Sequence, residues 1–456
     1  MGLSGPLDAE TLLRHTRQGP RYTSYPTAPM WRTDFPEAGF HEGLARLSGP
    51  AAVYVHVPFC REQCSFCGCN MVVAGRREPG QRYLAALERQ LRTLPLPADQ
   101  IDVQRIHLGG GTPTWLSPDE LRALFSMLDR RFRRSPGCEV SVEADPEVTS
   151  DAHLEALAAL GVTRMSFGVQ SFDDTVLRAV DRPQQRERVG ALLQRARSLG
   201  MGSLNIDLMY GLPHQTAPRW RETLDETLRL RPDRLAIFGY AHLPWLKPHM
   251  KRIEAAALPG PLERAELFLA AHAALLDAGY QAVGMDHFAL PDDDLAVAQR
   301  AGALHRNFMG YTTHRDQQLI GLGMSSISEL GDRYVQQKSK LSHWWKAVEA
   351  DGPVVEKGVM LTPDDLLHRE VIYAVMCNFE ISAAALVERH QVDLWSYFSD
   401  ARPALEALAA EGLVELDATG LRVPPRARLL VRNVAMCFDP SLRGAAPSGP
   451  RFSSTV

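Results

Sequence analysis

Four cysteines stand within one eleven-residue stretch, which reads Cys60-Arg-Glu-Gln-Cys64-Ser-Phe-Cys67-Gly-Cys69-Asn70. The first three have the spacing C-x3-C-x2-C, and thiolates are soft ligands that suit iron–sulfur clusters or zinc. Three thiolates can hold three irons of a [4Fe–4S] cluster and leave the fourth iron open to another ligand. The spacing therefore favours an open cluster on Cys60, Cys64 and Cys67. A structural zinc site and unligated core cysteines are the alternatives.

The fourth cysteine of the stretch, Cys69, needs a separate interpretation. It follows Cys67 by two residues, which makes it an awkward second ligand for the same metal. We expect it to lie near the cluster and to take part in catalysis in a role that the sequence does not specify, with core packing as the alternative. Disulfides do not explain the group, because seven cysteines in 456 residues do not form a secreted framework.

Polar residues follow several predicted strands at the point where each strand ends. Gly109-Gly-Gly-Thr112-Pro follows one strand, and Glu143, Gln170 and Asp207 follow three later ones. Each alone is more often a helix cap or a solvated residue, but the carboxyl ends of parallel strands meet at one face of a barrel. Glycine lets backbone amides and carbonyls grip an amino acid closely, and a carboxylate such as Asp207 suits ribose hydroxyls. The pattern indicates a binding site at this face.

The elements that must position these residues form a strand–helix alternation. Strands are predicted over 51–58, 105–108, 138–142, 164–169, 203–209 and 234–240, and helices over 78–94, 117–132, 151–160, 186–199 and 220–230. Six such βα units predict an α/β fold, a partial (βα)6 barrel with room for a large substrate. The run 321–329 is expected to return to the active face.

Different patterns stand on either side of the barrel, and they divide the chain into an N-terminal arm (1–47), a barrel with its extension (48–340) and a C-terminal domain (360–456). The stretch 19–27 carries two tyrosines and an arginine, so we expect the arm to pack over a site. The C-terminal part predicts helices over 362–377 and 427–437 with a hairpin over 413–423, a mostly helical, winged-helix-like domain. A packed lid is favoured over a nucleic-acid module.

Composition excludes several classes of protein. With 45% hydrophobic residues, 23% charged residues and a net charge of −4, the chain is typical of a globular protein without general affinity for nucleic acid or an anionic membrane. It has no run of about 18 apolar residues, and its first residues lack a signal pattern. We expect a cytoplasmic protein that needs no membrane or nucleic acid.

Several longer strings carry a resemblance to a known family. The C-x3-C-x2-C spacing with the later Gly-Gly-Gly-Thr-Pro resembles the radical S-adenosylmethionine superfamily. Within it the chain resembles the oxygen-independent coproporphyrinogen III oxidase family over nearly its whole length. The strings are Arg21-Tyr-Thr-Ser-Tyr-Pro, Tyr54-Val-His-Val-Pro-Phe-Cys60, Phe66-Cys67-Gly-Cys69-Asn70, Asn205-Ile-Asp207-Leu-Met-Tyr-Gly-Leu-Pro, Tyr240-Ala-His-Leu-Pro, Gly284-Met-Asp-His-Phe-Ala289 and Met436-Cys-Phe-Asp.

The resemblance implies a set of cofactor-binding residues. Cys60, Cys64 and Cys67 would ligate a [4Fe–4S] cluster whose open iron is chelated by S-adenosylmethionine. The family pattern implies two S-adenosylmethionine molecules per chain. The first would contact Tyr54, Gly110, Glu143 and Ile327. The second would contact Phe66, Gly111, Thr112, Gln170, Arg182, Asp207 and Ala241.

The implied activity is that of an oxidoreductase acting on CH–CH groups. A 5′-deoxyadenosyl radical would remove hydrogen from two propionates of coproporphyrinogen III, which lose CO2 and become the vinyl groups of protoporphyrinogen IX in heme biosynthesis. The implied partners are this substrate and an electron donor such as flavodoxin or ferredoxin, with the enzyme a monomer.

Three other functions compete with this interpretation. A heme chaperone related to the family usually lacks the second cysteine of the Cys67-Gly-Cys69 pair and the N-terminal arm, and this chain has both. A radical enzyme that modifies RNA would need a basic surface, which a net charge of −4 does not favour. An electron-transfer protein would have no use for polar strand ends in a six-unit barrel.

Overall fold

Parallel strands alternate with helices along the first half of the chain in the computed structural model, which describes residues 7–97, 101–314 and 318–443. The strands, numbered β1 to β19 in chain order, are Ala51–Val57, Phe59–Cys60, Val72–Val73, Ile101–Gly110, Phe132–Ala144, Arg164–Gln170, Ser203–Tyr210, Arg234–Gly239, Gln281–Val283, His287–Ala289, His305–Asn307, Gly310–Thr312, Gln318–Leu322, Ile327–Glu329, Arg333–Gln337, Val355–Met360, Glu380–Ser382, Glu415–Asp417 and Gly420–Arg422.

Helices cover the sheet and build the C-terminal region. Numbered α1 to α16, they are Ala9–Arg14, Glu37–Ala45, Glu78–Thr93, Pro118–Asp129, Asp151–Ala159, Asp174–Ala179, Arg186–Ser198, Ala217–Leu230, Pro261–Asp277, Asp294–Arg300, Leu341–Glu349, Pro363–Asn378, Ala383–His390, Leu394–Tyr397, Arg402–Ala410 and Val431–Cys437. Capping side chains start two of them. Ser117 and Glu120 form a capping box on α4, and Thr362 caps α12.

One twelve-stranded sheet carries the fold, in the order β16-β15-β14-β13-β1-β4-β5-β6-β7-β8-β10-β9. The six strands β1, β4, β5, β6, β7 and β8 are parallel and neighbour one another in chain order, and each matches a predicted βα unit. The α/β class is thus confirmed. The sequence did not predict that β13 adds a seventh parallel strand beside β1, followed by three antiparallel strands.

Apolar side chains from both faces of the sheet and from the helices form one large core. β1 is buried along almost its whole length, which fits a central strand of a parallel sheet covered on both sides. This strand leads directly into the cysteine stretch, so the stretch starts from a rigid position in the middle of the sheet.

The aromatic stretch of the N-terminal arm is packed against the rest of the chain, and its position over a site stays a prediction. Tyr22 and Tyr25 are buried, and the Tyr22 hydroxyl donates to an Asp439 carboxylate oxygen at 2.9 Å. Trp31 stacks on Tyr334, with ring centroids 5.4 Å apart. The arm therefore contacts both the barrel and the C-terminal region.

The C-terminal region differs from the prediction in two details. The helix predicted over 427–437 is wrong in its first turn, because residues Pro425–Leu430 form a 3-10 helix and the α-helix begins at Val431. The predicted hairpin is present as β18 and β19, and β17 pairs with β19 as a third strand. The predicted arm (1–47) and C-terminal domain (360–456) include residues 1–6 and 444–456, which lie outside the described residues.

Candidate active site

Backbone hydrogen bonds join the cysteine stretch to the glycine run at the end of β4. The Gly111 amide donates to the Val57 carbonyl and the Thr112 amide to the Phe59 carbonyl, each at 2.8 Å. These bonds bring Cys60, Cys64 and Cys67 to one cavity of about 390 Å³. The cavity lies at the carboxyl ends of the parallel strands, where such folds place their active sites.

Two of the three thiols contact a polar side chain. The Cys60 sulfur lies 3.4 Å from the Thr112 hydroxyl, and the Arg182 guanidinium donates to the Cys64 sulfur at 3.3 Å. Arg182 also pairs with Asp145 at 3.1 Å. Burial raises the pKa of Cys60 to about 12, so its thiolate needs a positive partner in this place.

This donor set fits an iron–sulfur cluster with one open position. Three half-buried thiols open into a single cavity, a guanidinium lies beside them to offset thiolate charge, and the remaining cavity wall is glycine backbone and polar side chains. Among the described residues, no three His, Cys, Asp or Glu side chains are grouped closely enough for a single metal ion.

The glycine run is shaped by close approach of its neighbours. A Cβ atom on Gly111 would lie 2.7 Å from the Phe59 carbonyl oxygen, and one on Gly110 would lie 2.7 Å from the His56 ring. Gly110 also has a φ of 118°, which side chains rarely allow. Only glycine fits these two positions, and its backbone is left facing the cavity.

Glu143 ends β5 on the same face. It accepts hydrogen bonds from the Gly110 amide at 3.1 Å and from His107 at 3.3 Å. Burial acts to raise the pKa of Glu143, but the hydrogen bond and charge of His107 with the Gly110 amide outweigh it and lower that pKa below its ordinary value. Glu143 is therefore an ionised acceptor beside the glycine run.

Asp207 lies on β7 across the cavity. It accepts hydrogen bonds from the Asn205 amide at 2.6 Å and the Ser166 hydroxyl at 3.1 Å. Burial, followed by the charge of Glu143, raises the pKa of Asp207 to about 7. Near neutral pH Glu143 is thus ionised, whereas Asp207 is present in both its protonated and its ionised form.

The structure brings most of the predicted site residues together. The main cavity is lined by Cys60, Cys64, Cys67, Cys69, Phe66, Gly110, Gly111, Thr112, Glu143, Gln170, Arg182 and Asp207. Tyr54 and Ile327 instead line a second cavity of about 200 Å³, together with His56 and Asn70. Ala241 lines neither of these two cavities.

Sequence reasoning missed two groups that position these side chains. His107 lies two residues before Gly109 on β4, stacks on the Tyr54 ring and holds Glu143. Ser166 lies on β6 and bonds Asp207. The period of two along each strand could have identified both, since it places them on the same face as the strand-end residues.

Comparison with known proteins places this site in a family. The Radical SAM superfamily profile matches residues 54–227, and the HemN C-terminal domain profile matches residues 361–430. The chain is 43% identical to the oxygen-independent coproporphyrinogen III oxidase of Salmonella typhimurium, over 96% of both chains. It is 40% identical to that of Pseudomonas aeruginosa over 98% of both chains. The chain belongs to the oxygen-independent coproporphyrinogen III oxidase family.

A solved structure agrees with this membership. Coproporphyrinogen III oxidase from Escherichia coli, described as a radical SAM enzyme, superposes with a TM-score of 0.89 at 42% identity, covering 92% of this chain and 97% of that one. Membership of the coproporphyrinogen III oxidase family and of its superfamily implies a [4Fe–4S] cluster and S-adenosylmethionine. No helix within the described residues is long and apolar enough to cross a membrane.

Proposed function

We propose that this protein converts two propionate side chains of coproporphyrinogen III to vinyl groups, giving protoporphyrinogen IX without oxygen. One observation carries the proposal: a single cavity joins three thiols to the polar ends of successive parallel strands. The chain that forms this cavity is similar to coproporphyrinogen III oxidases over 96% of its length. The same end-to-end likeness favours this reaction over an RNA-modifying enzyme.

The reaction balances for each propionate in the same way. The β-carbon loses a hydrogen atom, the carboxylate leaves as CO2, one electron passes to an acceptor, and a vinyl group remains. When bound, the cluster and S-adenosylmethionine supply the 5′-deoxyadenosyl radical that removes the hydrogen atom. The protein's own part is to hold and orient these groups and to exclude water.

Named side chains divide that work. Cys60, Cys64 and Cys67 would hold the cluster, with Arg182 offsetting thiolate charge. An S-adenosylmethionine amine would suit the ionised Glu143 carboxylate, and its carboxylate would suit backbone amides of the glycine run. Asp207, once ionised, would accept ribose hydroxyls.

Two S-adenosylmethionine molecules per chain remain part of the proposal. We assign Tyr54, Gly110, Glu143 and Ile327 to the first, and Phe66, Gly111, Thr112, Gln170, Arg182, Asp207 and Ala241 to the second. Two cavities of about 390 and 200 Å³ support room for more than one ligand. Cys69, beside the thiols in the main cavity, is proposed as a further catalytic group.

The wider setting is proposed in the same terms. We infer a cytoplasmic monomer that receives electrons from a flavodoxin or ferredoxin. The arm (1–47), barrel (48–340) and C-terminal lid (360–456) would then act as separate parts around one site.

The test is an anaerobic turnover assay. Protein reconstituted with iron and sulfide is given dithionite, S-adenosylmethionine and coproporphyrinogen III, and CO2, protoporphyrinogen IX and 5′-deoxyadenosine are measured. We expect two CO2 per protoporphyrinogen with matching 5′-deoxyadenosine. 5′-Deoxyadenosine without porphyrin product would show that the substrate is wrong. If neither product forms on a full cluster and heme binds tightly, the chaperone function replaces the proposal.

A further inference from the structure

Four arginines gather at the barrel's β8–β10 side, away from the cysteine stretch. We call this set, Arg21, Arg264, Arg306 and Arg432, the arginine cluster. Arg21 comes from the arm, Arg264 from the first turns of α9, Arg306 from β11 and Arg432 from α16. Four separate segments of the chain therefore converge on one charged region.

Positive charge exceeds negative charge in this region. Asp286 is the carboxylate inside it, forming an ion pair with Arg21 and a 2.6 Å contact with His287. Asp439 accepts a hydrogen bond from the Tyr22 hydroxyl. Burial, followed by repulsion from Arg21, lowers the pKa of Arg432 to about 9, which indicates that these cations crowd one another.

Two of the arginines have guanidinium donors without a hydrogen-bond partner in the described part of the chain. The Nε and Nη1 atoms of Arg306 are buried without a hydrogen-bond partner among the described residues. Arg264 is half-buried and, in the described part of the chain, has no ion pair and no side-chain hydrogen bond. Buried guanidinium donors without partners are costly, and a carboxylate is the ligand that matches their geometry.

Glycines leave space for the Arg264 side chain at the strand ends. A Cβ atom on Gly211 would lie 3.2 Å from its Nε, and one on Gly239 would lie 3.4 Å from its Nη2. Gly211 directly follows β7 and Gly239 ends β8, so the Arg264 guanidinium lies over the carboxyl ends of both strands.

The cluster shares a face of the sheet with the main cavity. Asp207 on β7 pairs with Ala236 on β8, and Ala236 pairs with His287 on β10. Directly paired residues point to the same face of the sheet. Asp207 and His287 are therefore on one face, two strand spacings or about 10 Å apart. Arg21 packs on the Phe238 ring, which is on this face two residues beyond Ala236. A tetrapyrrole with propionate side chains can span this separation.

We propose that the arginine cluster binds propionate carboxylates of the tetrapyrrole that are not reacting, with Arg264 and Arg21 as contacts and Arg306 and Arg432 as supporting charge. The inference rests on the proposed function for its substrate. It assigns the carboxylates at the β8–β10 side an anchoring role, because the groups that would react lie across the barrel beside the thiols.

The test measures binding and turnover separately. Reconstituted wild-type protein and the variants Arg264→Gln, Arg264→Lys and Arg221→Gln are titrated with fluorescent coproporphyrin III and with its tetramethyl ester. The ester keeps the ring and removes the charges. Arg221 is a matched control, since it is an exposed arginine on α8 paired with Asp225. Iron content and the KM for coproporphyrinogen III are measured on the same samples.

We expect wild type and Arg221→Gln to bind the acid at least about tenfold more tightly than the ester. Arg264→Gln should lose about tenfold of that preference and raise KM by a similar factor, with iron content unchanged. Arg264→Lys keeps the charge, so its acid-to-ester preference and its KM should lie between those of wild type and Arg264→Gln. If Arg264→Gln does not fold, the same two quantities measured on Arg264→Lys test the proposal.

An unchanged acid-to-ester ratio in Arg264→Gln with full iron content would overturn the propionate site, even if wild type makes protoporphyrinogen. Loss of the ratio in a protein whose wild type makes no vinyl product would keep the site and remove the proposed reaction.

Discussion

At the level of single residues, the thiols of Cys60, Cys64 and Cys67, with Cys69 beside them, differ in their surroundings from the three remaining cysteines. They open into a cavity beside a guanidinium, whereas Cys377 and Cys437 are buried in the core and Cys138 is half-buried on β5. The C-x3-C-x2-C spacing predicts the ligand set, whereas Cys138, Cys377 and Cys437 each stand alone in the sequence.

Single cysteine substitutions should distinguish the ligands from the rest. We expect Cys60→Ala, Cys64→Ala and Cys67→Ala each to lose most of the iron and the brown chromophore after anaerobic reconstitution, because a cluster held by two thiolates is labile. Absorbance and iron per chain are the measurements. Cys138→Ala is the matched control and should keep both. Three full chromophores in the first set would reject the ligand assignment.

Asp207 should make stability depend on pH. An acid whose pKa is raised on folding, here to about 7, stabilises the fold below its unfolded pKa of about 4, and that stabilisation is lost as pH rises through 7. The Asp207→Asn side chain stays neutral at every pH. The cluster-free variant should therefore melt about 2 °C or more above cluster-free wild type at pH 8, and the two melting temperatures should be closer at pH 5. Thermal melts over pH 5–8 measure this.

The exposed Asp225→Asn provides the comparison for Asp207, since its carboxylate pairs with Arg221 at the surface. Its melting curve should follow wild type across the range. A constant offset between Asp207→Asn and wild type at every pH would show that the carboxyl does not titrate near neutrality.

At the scale of elements, the six parallel strands could be predicted because each is an apolar run followed by a polar or glycine-rich end and a helix. The strand Gln318–Leu322 could not be predicted. It is short, it is not directly preceded by a helix as in a strand–helix unit, and its pairing with β1 joins residues far apart in sequence. The site depends on both kinds of element, because Ile327 lies just beyond that strand.

The same limit applies to the site. Strand-end residues such as Glu143 and Asp207 could be predicted to meet, because register in a parallel sheet is regular. The division into two cavities, with Tyr54 in the smaller one, depends on the packing of His56 and Asn70 and has no sequence signal.

Replacement of Gly111 tests the link between the glycine run and the cysteine stretch. A Cβ there would meet the carbonyls of Pro58 and Phe59 at 2.7 Å, so Gly111→Ala must displace the backbone that leads into Cys60. We expect a loss of about 1–3 kcal/mol in stability and at least half of the reconstituted iron. Thermal melting and iron analysis measure these effects.

Gly202→Ala is the matched control, because nothing lies within 4 Å of a Cβ at that exposed position. It should leave iron content unchanged. Normal iron content in Gly111→Ala would mean that the cysteine stretch is positioned independently of the glycine run.

Across the whole molecule, the N-terminal arm joins parts that the chain places far apart. Arg432 of α16 donates to the carbonyl oxygens of Gly19 and Pro20, Tyr22 bonds Asp439, and α1 packs against α9 of the barrel. The arm also delivers Arg21 to Asp286. The C-terminal region is therefore held to the barrel partly through the arm.

Removal of residues 1–30 should separate cluster binding from turnover. No ligand cysteine lies in this segment, so reconstituted iron should stay at the wild-type level. Turnover of coproporphyrinogen III should fall about tenfold or more, because the tie to α16 and the Arg21 charge are lost together. Iron analysis, the anaerobic assay and limited proteolysis of the C-terminal region measure the three consequences.

Arg32→Gln, which breaks only an exposed pair with Asp34, should match wild type in all of them. Full turnover by the truncated enzyme would reduce the arm to a surface attachment, and loss of iron would make it part of the folding core.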